Sequence, residues 1–349
     1  MRLLLVLLGA LLLSACSSVE QKTVAAPAAS VHTLSSQEQV NAFAAELAKQ
    51  KVGLSYTEIL ETLSKAKTQD RIIALMNKPY EALPWWRYQT LYERPSLVKD
   101  GMGFWQANQK NLAEAAKVYG VPAQIILAIL GVETQYGNNK GSYRAIDALY
   151  TLSFSYPRRA SYFQKELAAY LVLTHQAGFD PLAVKSSYAG ALGMPQFMPS
   201  SYQQYAVSHL NHYPDLFTNN ADAIDSVAHY LAKAGWVRGA PIAVPARLSK
   251  HAKSVEKLQN HNFTLQEFSE HGIYPSHHMS GSLVAQFLIL DGKAGPEYFL
   301  AFRNFYVIKR YNASNLYAMA VTELSRKLLN AWVAEGVQKR HTVKKTQHK

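Results

Sequence analysis

The sequence predicts an α+β fold that is predominantly α-helical and carries a small β subdomain. Amphipathic helical patterns extend, with breaks, from about Gln37 to Leu231. Between Pro241 and Asn312 the segments become short, apolar and bounded by turn residues, which is typical of strands. A last amphipathic segment, NLYAMAVTELSRKLLNAWVAE, predicts a closing helix. With 349 residues, 48% hydrophobic and 17% charged, the chain is ample for roughly two domains with a full core.

The first residues have the pattern of an exported lipoprotein. Arg2 precedes an apolar run from Leu3 to Leu13, which is too short to span a bilayer as a helix. The LSAC segment that follows resembles the bacterial lipoprotein processing box, in which the signal is cut before a lipidated cysteine. Cys16 is the only cysteine, so it cannot form an internal disulfide. We therefore predict residues 1–15 as a signal peptide and Cys16 as the lipidated residue; the alternative is an ordinary signal peptide with a spare thiol.

The residues after Cys16 and the net charge bear on location and partners. Residues 16–36 are rich in Ser, Ala and Val without periodicity, which predicts a flexible tether. Ser17, rather than Asp, is typical of lipoproteins sorted to the outer membrane. We therefore predict that the protein is anchored to the periplasmic face of the outer membrane in a Gram-negative bacterium. The net charge of +12 indicates an anionic partner. Nucleic acid is not expected, because zinc-finger spacing, a nucleotide-binding glycine loop and an RNA-binding signature are all missing from the sequence.

Composition shifts divide the rest of the chain. We predict a helical region over 37–110, a helical core over 111–240, the β subdomain over 241–310, a C-terminal helix over 311–335 and a basic tail over 336–349. The segments PIAVPARL, AQFLILDG and RNFYVIKRYN are predicted strands. The final KRHTVKKTQHK is typical of a frayed, solvated terminus. A monomer is the default expectation.

The segment QIILAILGVETQYGNN places a carboxyl group on an apolar helix face. Pro122 suits the first helical position, and Gly137 marks the predicted end. Ile126, Leu130 and Glu133 then lie on one face at helical spacing. A carboxylate there is unfavourable unless it is paired, protonated or functional.

Two effects raise the expected pKa of Glu133, namely burial and the negative end of the helix dipole. Both favour the neutral acid that a general acid requires. The alternative is a buried glutamate paired with an arginine, and the helix alone does not decide between them.

Two further segments carry candidate binding residues. Arg158 and Arg159 follow Pro157 in a predicted first helical turn, where cations oppose the dipole, so either a protein carboxylate or a ligand carboxylate should compensate. In SSYAGALGMPQFMPSSY, glycines and prolines frame Gln196, with Ser187 nearby. The Gln196 amide could hold a sugar hydroxyl or acetamide, orient a carboxyl group, or cap the helix that begins near Pro199.

Aromatic residues are abundant, with 21 Tyr, 13 Phe and 5 Trp. Tyrosine-rich clefts suit carbohydrates, because the ring packs on sugar C–H groups while the hydroxyl forms hydrogen bonds at the edge of the cleft. The alternative for any one of these rings is that it is simply a core residue. Tyr306, Tyr311, Asn312 and Tyr317 cluster just before the last helix and are the best candidates.

The sequence gives little support for a catalytic metal site or for a serine nucleophile. His209 and His212 have helical spacing without a further ligand, and a GxSxG elbow is missing. We therefore expect no catalytic metal and no cofactor.

Several long blocks resemble the bacterial lytic murein transglycosylase B family, from about Trp85 to Leu329. They are GVETQYG, DALYTLSFSYPRRASYFQKEL, SYAGALGMPQFMPSSYQQYAV, DAIDSVAHYLAKAGW and KRYNASNLYAMAV. The resemblance implies a lysozyme-like catalytic core over 111–240. It also implies cleavage of peptidoglycan glycan strands between N-acetylmuramic acid (MurNAc) and N-acetylglucosamine (GlcNAc), leaving a 1,6-anhydromuramoyl end.

The resemblance also implies the site. Glu133 corresponds to the family's single catalytic glutamate, and neither Asp147 nor Glu166 stands out as a second acid, although most glycosidases need two. The implied substrate contacts are Tyr88, Arg158, Arg159, Tyr162, Ser187, Gln196, Phe197, Tyr230, Tyr311, Asn312 and Tyr317.

One region departs from the family. Some members carry an Asp-rich, EF-hand-like calcium loop after the block ending in QYAV, whereas here SHLNHYPDLFTNN has Asp215 as its only carboxylate. Calcium takes several oxygen ligands, usually including charged ones, so we predict that the site is lost. The competing functions are a muramidase, in which water captures the intermediate, and a non-catalytic peptidoglycan-binding lipoprotein.

Overall fold

The computed structural model describes residues 36–77, 83–210 and 212–346, with side chains up to residue 337. The predicted signal peptide, the lipidated Cys16 and the tether up to residue 35 lie outside the described residues. The last three residues of the predicted basic tail also lie outside them.

Helices form most of the described chain. The α-helices are α1 Ser36–Lys49, α2 Tyr56–Ser64, α3 Asp70–Met76, α4 Trp85–Tyr88, α5 Pro95–Ala107, α6 Gln109–Tyr119, α7 Ala123–Thr134, α8 Ala145–Phe154, α9 Ala160–Ala177, α10 Pro199–Tyr205, α11 Asn220–Lys233, α12 Leu265–Glu270, α13 Arg303–Tyr311 and α14 Asn315–Thr346. Short 3₁₀ turns cover Gln89–Leu91, Pro157–Arg159 and Val255–Leu258.

The strands form two antiparallel sheets. They are β1 Tyr143–Arg144, β2 Lys185–Ser186, β3 Ala243–Leu248, β4 Asn262–Thr264, β5 Ile273–Pro275, β6 Val284–Gly292 and β7 Gly295–Ala301. The first two pair with each other, and the other five form a sheet in the order β4-β6-β7-β3-β5. The predicted α+β class, mainly helical with a small sheet, is confirmed.

Two helical cores meet at one seam. The first core surrounds α7 and contains apolar residues of α5, α6, α11, α13 and α14. The second joins α1, α2 and α3 to α8 and α9. The half-buried Tyr230 and Tyr311 pack against both cores, so they mark the seam between them. A third, smaller core lies under the five-stranded sheet.

The segment RNFYVIKRYN was wrongly predicted as a strand, because Arg303–Tyr311 is helix α13. Its aromatic and β-branched residues favour strands in isolation. The buried positions, however, follow helical spacing, since Phe305 and Ile308 are fully covered. Asn304 also ties the helix down, because its amide donates to the carbonyls of Val237 and Ala240 at 2.8 and 3.0 Å.

The C-terminal helix differs from its predicted bounds. It begins at Asn315 rather than near 311 and continues to Thr346, so most of the predicted basic tail is helical. The Trp105 and Trp332 rings stack at a centroid distance of 4.5 Å and anchor the middle of this helix on α5.

Within the described ranges, no single helix is long and apolar enough to cross a membrane. The pair Gln109–Tyr119 and Ala123–Thr134 passes that test only together, with a bend of 113° between its members.

Candidate active site

Helix α7 presents the central carboxyl group of the site. Pro122 is its N-cap rather than its first residue, and the helix ends at Thr134, earlier than the predicted end near Gly137. Almost all its residues are buried, so it is a core helix rather than one with a single apolar face. Glu133 lies in the last turn, with its side chain only partly exposed.

The chain leaves α7 through consecutive left-handed residues. Gln135, Tyr136 and Gly137 have φ angles of 52°, 60° and 86°. Such angles are unfavourable for side chains other than glycine, so surrounding contacts must compensate. The Tyr136 amide donates to the Leu130 carbonyl at 3.0 Å, which closes the helix end.

The Tyr136 ring is wedged between α5, α7 and α14. It is 7% exposed and stacks on Phe104 at 5.7 Å. A Cβ atom at Gly101 would lie 2.3 Å from the Tyr136 hydroxyl oxygen, and one at Gly131 would lie 2.7 Å from it. Both glycines therefore make room for this ring.

We expect Gly101→Ala to destabilise the protein by about 1–3 kcal/mol, because the added methyl overlaps Tyr136 and Leu328 in a packed core. Gly103→Ala is the matched control in the same helix, since nothing lies within 4 Å of its Cβ position. That exposed site should gain up to about 1 kcal/mol from the better helix former. Urea unfolding of the two variants measures the difference, and equal midpoints would contradict the wedge.

One tyrosine contacts the Glu133 carboxyl group directly. The Tyr317 hydroxyl donates to Glu133 Oε1 at 2.6 Å. Burial raises the pKa of Glu133 to about 8, against the opposing effect of this hydrogen bond. Burial and the nearby Glu133 raise the pKa of Tyr317 well above its usual value, so the tyrosine remains a neutral donor. At neutral pH the carboxyl group is therefore largely protonated.

An aromatic wall continues from Glu133 along the seam. The Tyr311 and Tyr317 rings stack at 6.4 Å, 10° apart. Tyr311 also contacts Tyr230 at 4.8 Å and Phe197 at 5.7 Å, edge-on and tilted respectively. The Tyr311 hydroxyl donates to the Pro195 carbonyl at 2.5 Å, which joins the wall to the Gly/Pro-rich segment.

Gln196 lies in that Gly/Pro-rich segment with a left-handed φ of 53°. Its Nε2 donates to the carbonyls of Gly193 at 2.9 Å and Lys140 at 3.3 Å. Its buried Oε1 has no partner among the described residues. Gln196 does not cap α10, because the Glu166 carboxylate accepts the Ser200 amide at 2.9 Å instead. Of the three roles predicted for Gln196, capping of α10 is therefore wrong.

Three other predicted site residues are covered by protein. Tyr88 is 0% exposed and packs on Trp85 and Tyr92. The Ser187 hydroxyl, also fully buried, accepts the amides of residues 189 and 191 at 3.2 and 3.1 Å. Asn312 ends α13, and its Oδ1 accepts the amide of residue 314 at 3.1 Å. All three side chains are therefore buried and bonded or packed within the protein.

Arg158 and Arg159 lie in the 3₁₀ turn Pro157–Arg159, which precedes α9 rather than belonging to its first turn. Arg158 is exposed, whereas Arg159 lies over the Tyr162 ring at 4.4 Å. Among the ion pairs of the described residues, neither arginine has a carboxylate partner. A ligand carboxylate therefore stays a prediction for both arginines.

The two acids considered as a second carboxylate both have structural roles. Asp147 accepts two hydrogen bonds from Arg144, at 2.8 and 2.6 Å, and one from the Lys67 amide at 2.8 Å. Glu166 holds both the amide and the hydroxyl of Ser200. Neither is free to act beside Glu133.

The segment from 208 to 219 is the one in which the sequence predicts that a calcium site is lost. Asp215 Oδ1 accepts the Phe217 amide at 2.7 Å, and His209 lies 3.0 Å from Asp225. Burial raises the pKa of Asp225 to about 6, and the nearby His209 acts in the opposite direction. In the described part of the chain, no three His, Cys, Asp or Glu side chains converge as metal ligands. Loss of the calcium site remains a prediction.

We expect neither calcium nor a chelator to change the melting temperature, because a cation that binds only the native state would raise it. Differential scanning fluorimetry with each addition measures this. A saturable rise with calcium would show that the segment binds the cation after all.

Two tyrosines that pack against predicted site residues were not themselves predicted from the sequence. Tyr205 packs edge-on against Tyr230 at 4.6 Å, and Tyr92 lies 5.4 Å from Tyr88. Tyr205 lies within the SYAGALGMPQFMPSSYQQYAV block, so its place in that block could have indicated a role in the site. Tyr92 had none, since single tyrosines are most often core residues.

The mainly helical fold, the buried acid at the end of a core helix and the aromatic seam define a lysozyme-like enzyme. Residues 35–326 match the family described as the transglycosylase SLT domain, and the chain belongs to this lytic transglycosylase family. It is 38% identical over 291 residues to membrane-bound lytic murein transglycosylase B of Escherichia coli K12, with 79% of each chain covered.

Solved structures agree with this assignment. The soluble lytic transglycosylase SltB1 from Pseudomonas aeruginosa is 36% identical, with a TM-score of 0.77 over 84% of this chain and 99% of that one. Escherichia coli Slt35 in complex with bulgecin A is 38% identical, with a TM-score of 0.78 over 84% and 94%. Pseudomonas aeruginosa SltB3 in complex with NAG-NAM-pentapeptide is 26% identical, with a TM-score of 0.77 over 85% and 80%.

Proposed function

We propose that this protein is a lytic transglycosylase that cleaves the β-1,4 bond between MurNAc and GlcNAc in peptidoglycan and leaves 1,6-anhydromuramoyl ends. The observation that carries the proposal is the Glu133 carboxyl group at the end of α7, which Tyr317 holds and whose pKa is raised by burial. Its relatives are named as lytic murein transglycosylases, and one was solved with a NAG-NAM-pentapeptide.

In the first step Glu133 acts as a general acid. Its proton passes to the glycosidic oxygen, the C1–O bond breaks, and an oxocarbenium-like centre forms at C1 of MurNAc. Tyr317 occupies Oε1, and no described residue hydrogen-bonds Oε2, so Oε2 is the oxygen that carries the proton. With Asp147 and Glu166 engaged elsewhere, the substrate's own acetamide is the group that stabilises C1.

In the second step the same residue acts as a base. The Glu133 carboxylate takes the proton from the C6 hydroxyl of MurNAc, and that oxygen bonds to C1. The 1,6-anhydro ring closes, water is not consumed, and Glu133 is protonated again. The Tyr317 hydrogen bond stabilises the carboxylate between the two steps.

The exposed part of the site suits the glycan and its peptide. Tyr230 and Tyr311 offer half-buried ring faces for sugars. The Gln196 oxygen is buried, so its assignment to an acetamide N–H or a hydroxyl requires this side chain to become exposed when the glycan binds. Arg158 and Arg159 form no ion pair with another described residue, and we assign them to the lactyl or peptide carboxylates of the strand. Tyr88, Ser187 and Asn312 are covered, so they act through the shape of the cleft.

Location follows from the same comparison. The membrane-bound relative places this family in a Gram-negative cell envelope. Lipidation at Cys16, anchoring at the periplasmic face of the outer membrane and action as a monomer are our proposals, supported by the LSAC segment and Ser17.

Mass spectrometry of muropeptides released from isolated sacculi tests the function. We expect products that lack one water and carry 1,6-anhydromuramoyl ends. Hydrated reducing ends would identify a muramidase instead. Binding to sacculi without any release would identify a non-catalytic binding lipoprotein.

A further inference from the structure

Thr134 follows Glu133 directly and is the last residue of α7. Its side chain is 1% exposed. The hydroxyl donates to the Met194 carbonyl at 2.8 Å and accepts the Gly137 amide at 3.0 Å. One buried hydroxyl thus joins the helix end, the left-handed turn after it and a segment sixty residues further along the chain.

This pattern differs from the usual role of threonine in a helix. Helical threonines commonly bond the carbonyl four residues earlier. Here the distance from Thr134 Oγ1 to the Leu130 carbonyl is 3.4 Å, clearly longer than the 2.8 Å to Met194. The hydroxyl is therefore directed away from its own helix, towards the neighbouring segment.

The segment that Thr134 reaches lies against the aromatic wall of the proposed site. Residues 193–197 include the buried Phe197, which packs on Tyr311, and Pro195, whose carbonyl accepts the Tyr311 hydroxyl at 2.5 Å. The segment is held from its other side, because the Met194 amide donates to the Leu216 carbonyl at 2.7 Å. The Thr134 bond is the tie closest in sequence to the acid.

We propose that Thr134 is a positioning residue whose hydroxyl fixes the distance between Glu133 and the cleft segment 193–197. The inference rests on the proposed function, since it concerns the placement of the acid relative to the bound sugar. A proton donor must lie within hydrogen-bond reach of the oxygen it protonates, and an error of about 1 Å can cost about a hundredfold in rate. The segment 193–197 holds Tyr311, which is assigned above to the sugar, and Glu133 holds the proton, so the tie between them sets that distance.

The decisive variants are Thr134→Ser and Thr134→Cys, which differ only in the atom that makes the bond. Serine keeps a strong donor and acceptor, whereas a thiol is weak in both roles. We expect Thr134→Ser to keep kcat within a few fold of the original protein. We expect Thr134→Cys to lose between about tenfold and a hundredfold in kcat, with a smaller change in KM.

Thr134→Val completes the series, because it keeps the shape and removes the bond. Its kcat should be at least as low as that of the cysteine variant, and the alkaline limb of its pH profile should shift, because the environment of Glu133 changes. Melting curves set the folded fraction of each variant, and rates are compared per folded molecule. If the valine variant does not fold, the Ser and Cys pair still decides.

Two outcomes overturn different statements. Equal kcat for the Ser and Cys variants, with only melting temperatures differing, would make Thr134 purely structural and overturn the inference. An unsubstituted protein that releases no anhydromuropeptides would overturn the proposed function, whatever the variants do.

Discussion

Glu133→Gln is expected to reduce the release of anhydromuropeptides by roughly 10²–10⁴-fold, because the amide can neither donate the acid's proton nor accept one as a base. Glutamine closely matches the neutral carboxylic acid in shape, so the cleft and the Tyr317 contact should persist. Quantitative mass spectrometry of digested sacculi measures the loss. Retained cleavage by this variant would remove Glu133 from the mechanism.

The melting temperature of Glu133→Gln shows whether the loss of activity comes from lost chemistry or from misfolding. The pKa of Glu133 rises from an ordinary value of 4.5 to about 8 in the folded protein. Below pH 4.5 the group is neutral in both states and has no effect; its destabilising effect grows between pH 4.5 and 8 and is complete above pH 8. Glu133→Gln should therefore melt like the original protein in acid and higher than it in alkali. A lower melting temperature at all pH values would point to misfolding rather than lost chemistry.

Tyr317→Phe is expected to move the alkaline limb of activity to higher pH. In the original protein, activity should fall as pH rises through about 8, because Glu133 then loses the proton it must donate. The Tyr317 hydroxyl stabilises the ionised carboxyl group and so lowers its pKa. Removing it should raise the pKa of Glu133 further, while kcat falls several fold because the carboxylate formed in the first step loses its donor.

Tyr170→Phe is the matched control for this experiment. Tyr170 is equally buried, and its hydroxyl donates to the Pro181 carbonyl at 2.7 Å, in the core formed by α8 and α9. The Tyr170→Phe variant should be less stable than the original protein, but the alkaline limb of its activity should stay at the same pH. A limb that stays in place or moves to lower pH in Tyr317→Phe would contradict the assigned role.

The acid could be predicted from the sequence because it obeys a local rule. Helical spacing places Glu133 among apolar residues, and an unpaired carboxyl group there is unfavourable enough to require a reason. The resemblance to known transglycosylases then assigned it. Its hydrogen-bond partner Tyr317 lies 184 residues away, and only the tertiary packing of α14 on α7 brings them together.

Helix α13 shows where local rules fail. Its composition favours a strand, but packing of Phe305 and Ile308 into the core around α7 determines a helix. The left-handed Gln135 and Tyr136 could not be predicted either, since both residue types disfavour that conformation. In each case contacts between distant segments override the preference of the residue itself.

The wedge formed by Tyr136 links three positions that are far apart in the chain. A side chain larger than glycine at 101 or 131 would overlap the tyrosine ring at 136, and at 101 it would also overlap Leu328. We therefore expect these positions to covary among related proteins, with the two glycines kept wherever the tyrosine is kept. A lineage that replaced the tyrosine would lose most of the restriction at 131 and part of that at 101, and could then explore other ways of ending the helix that carries the acid.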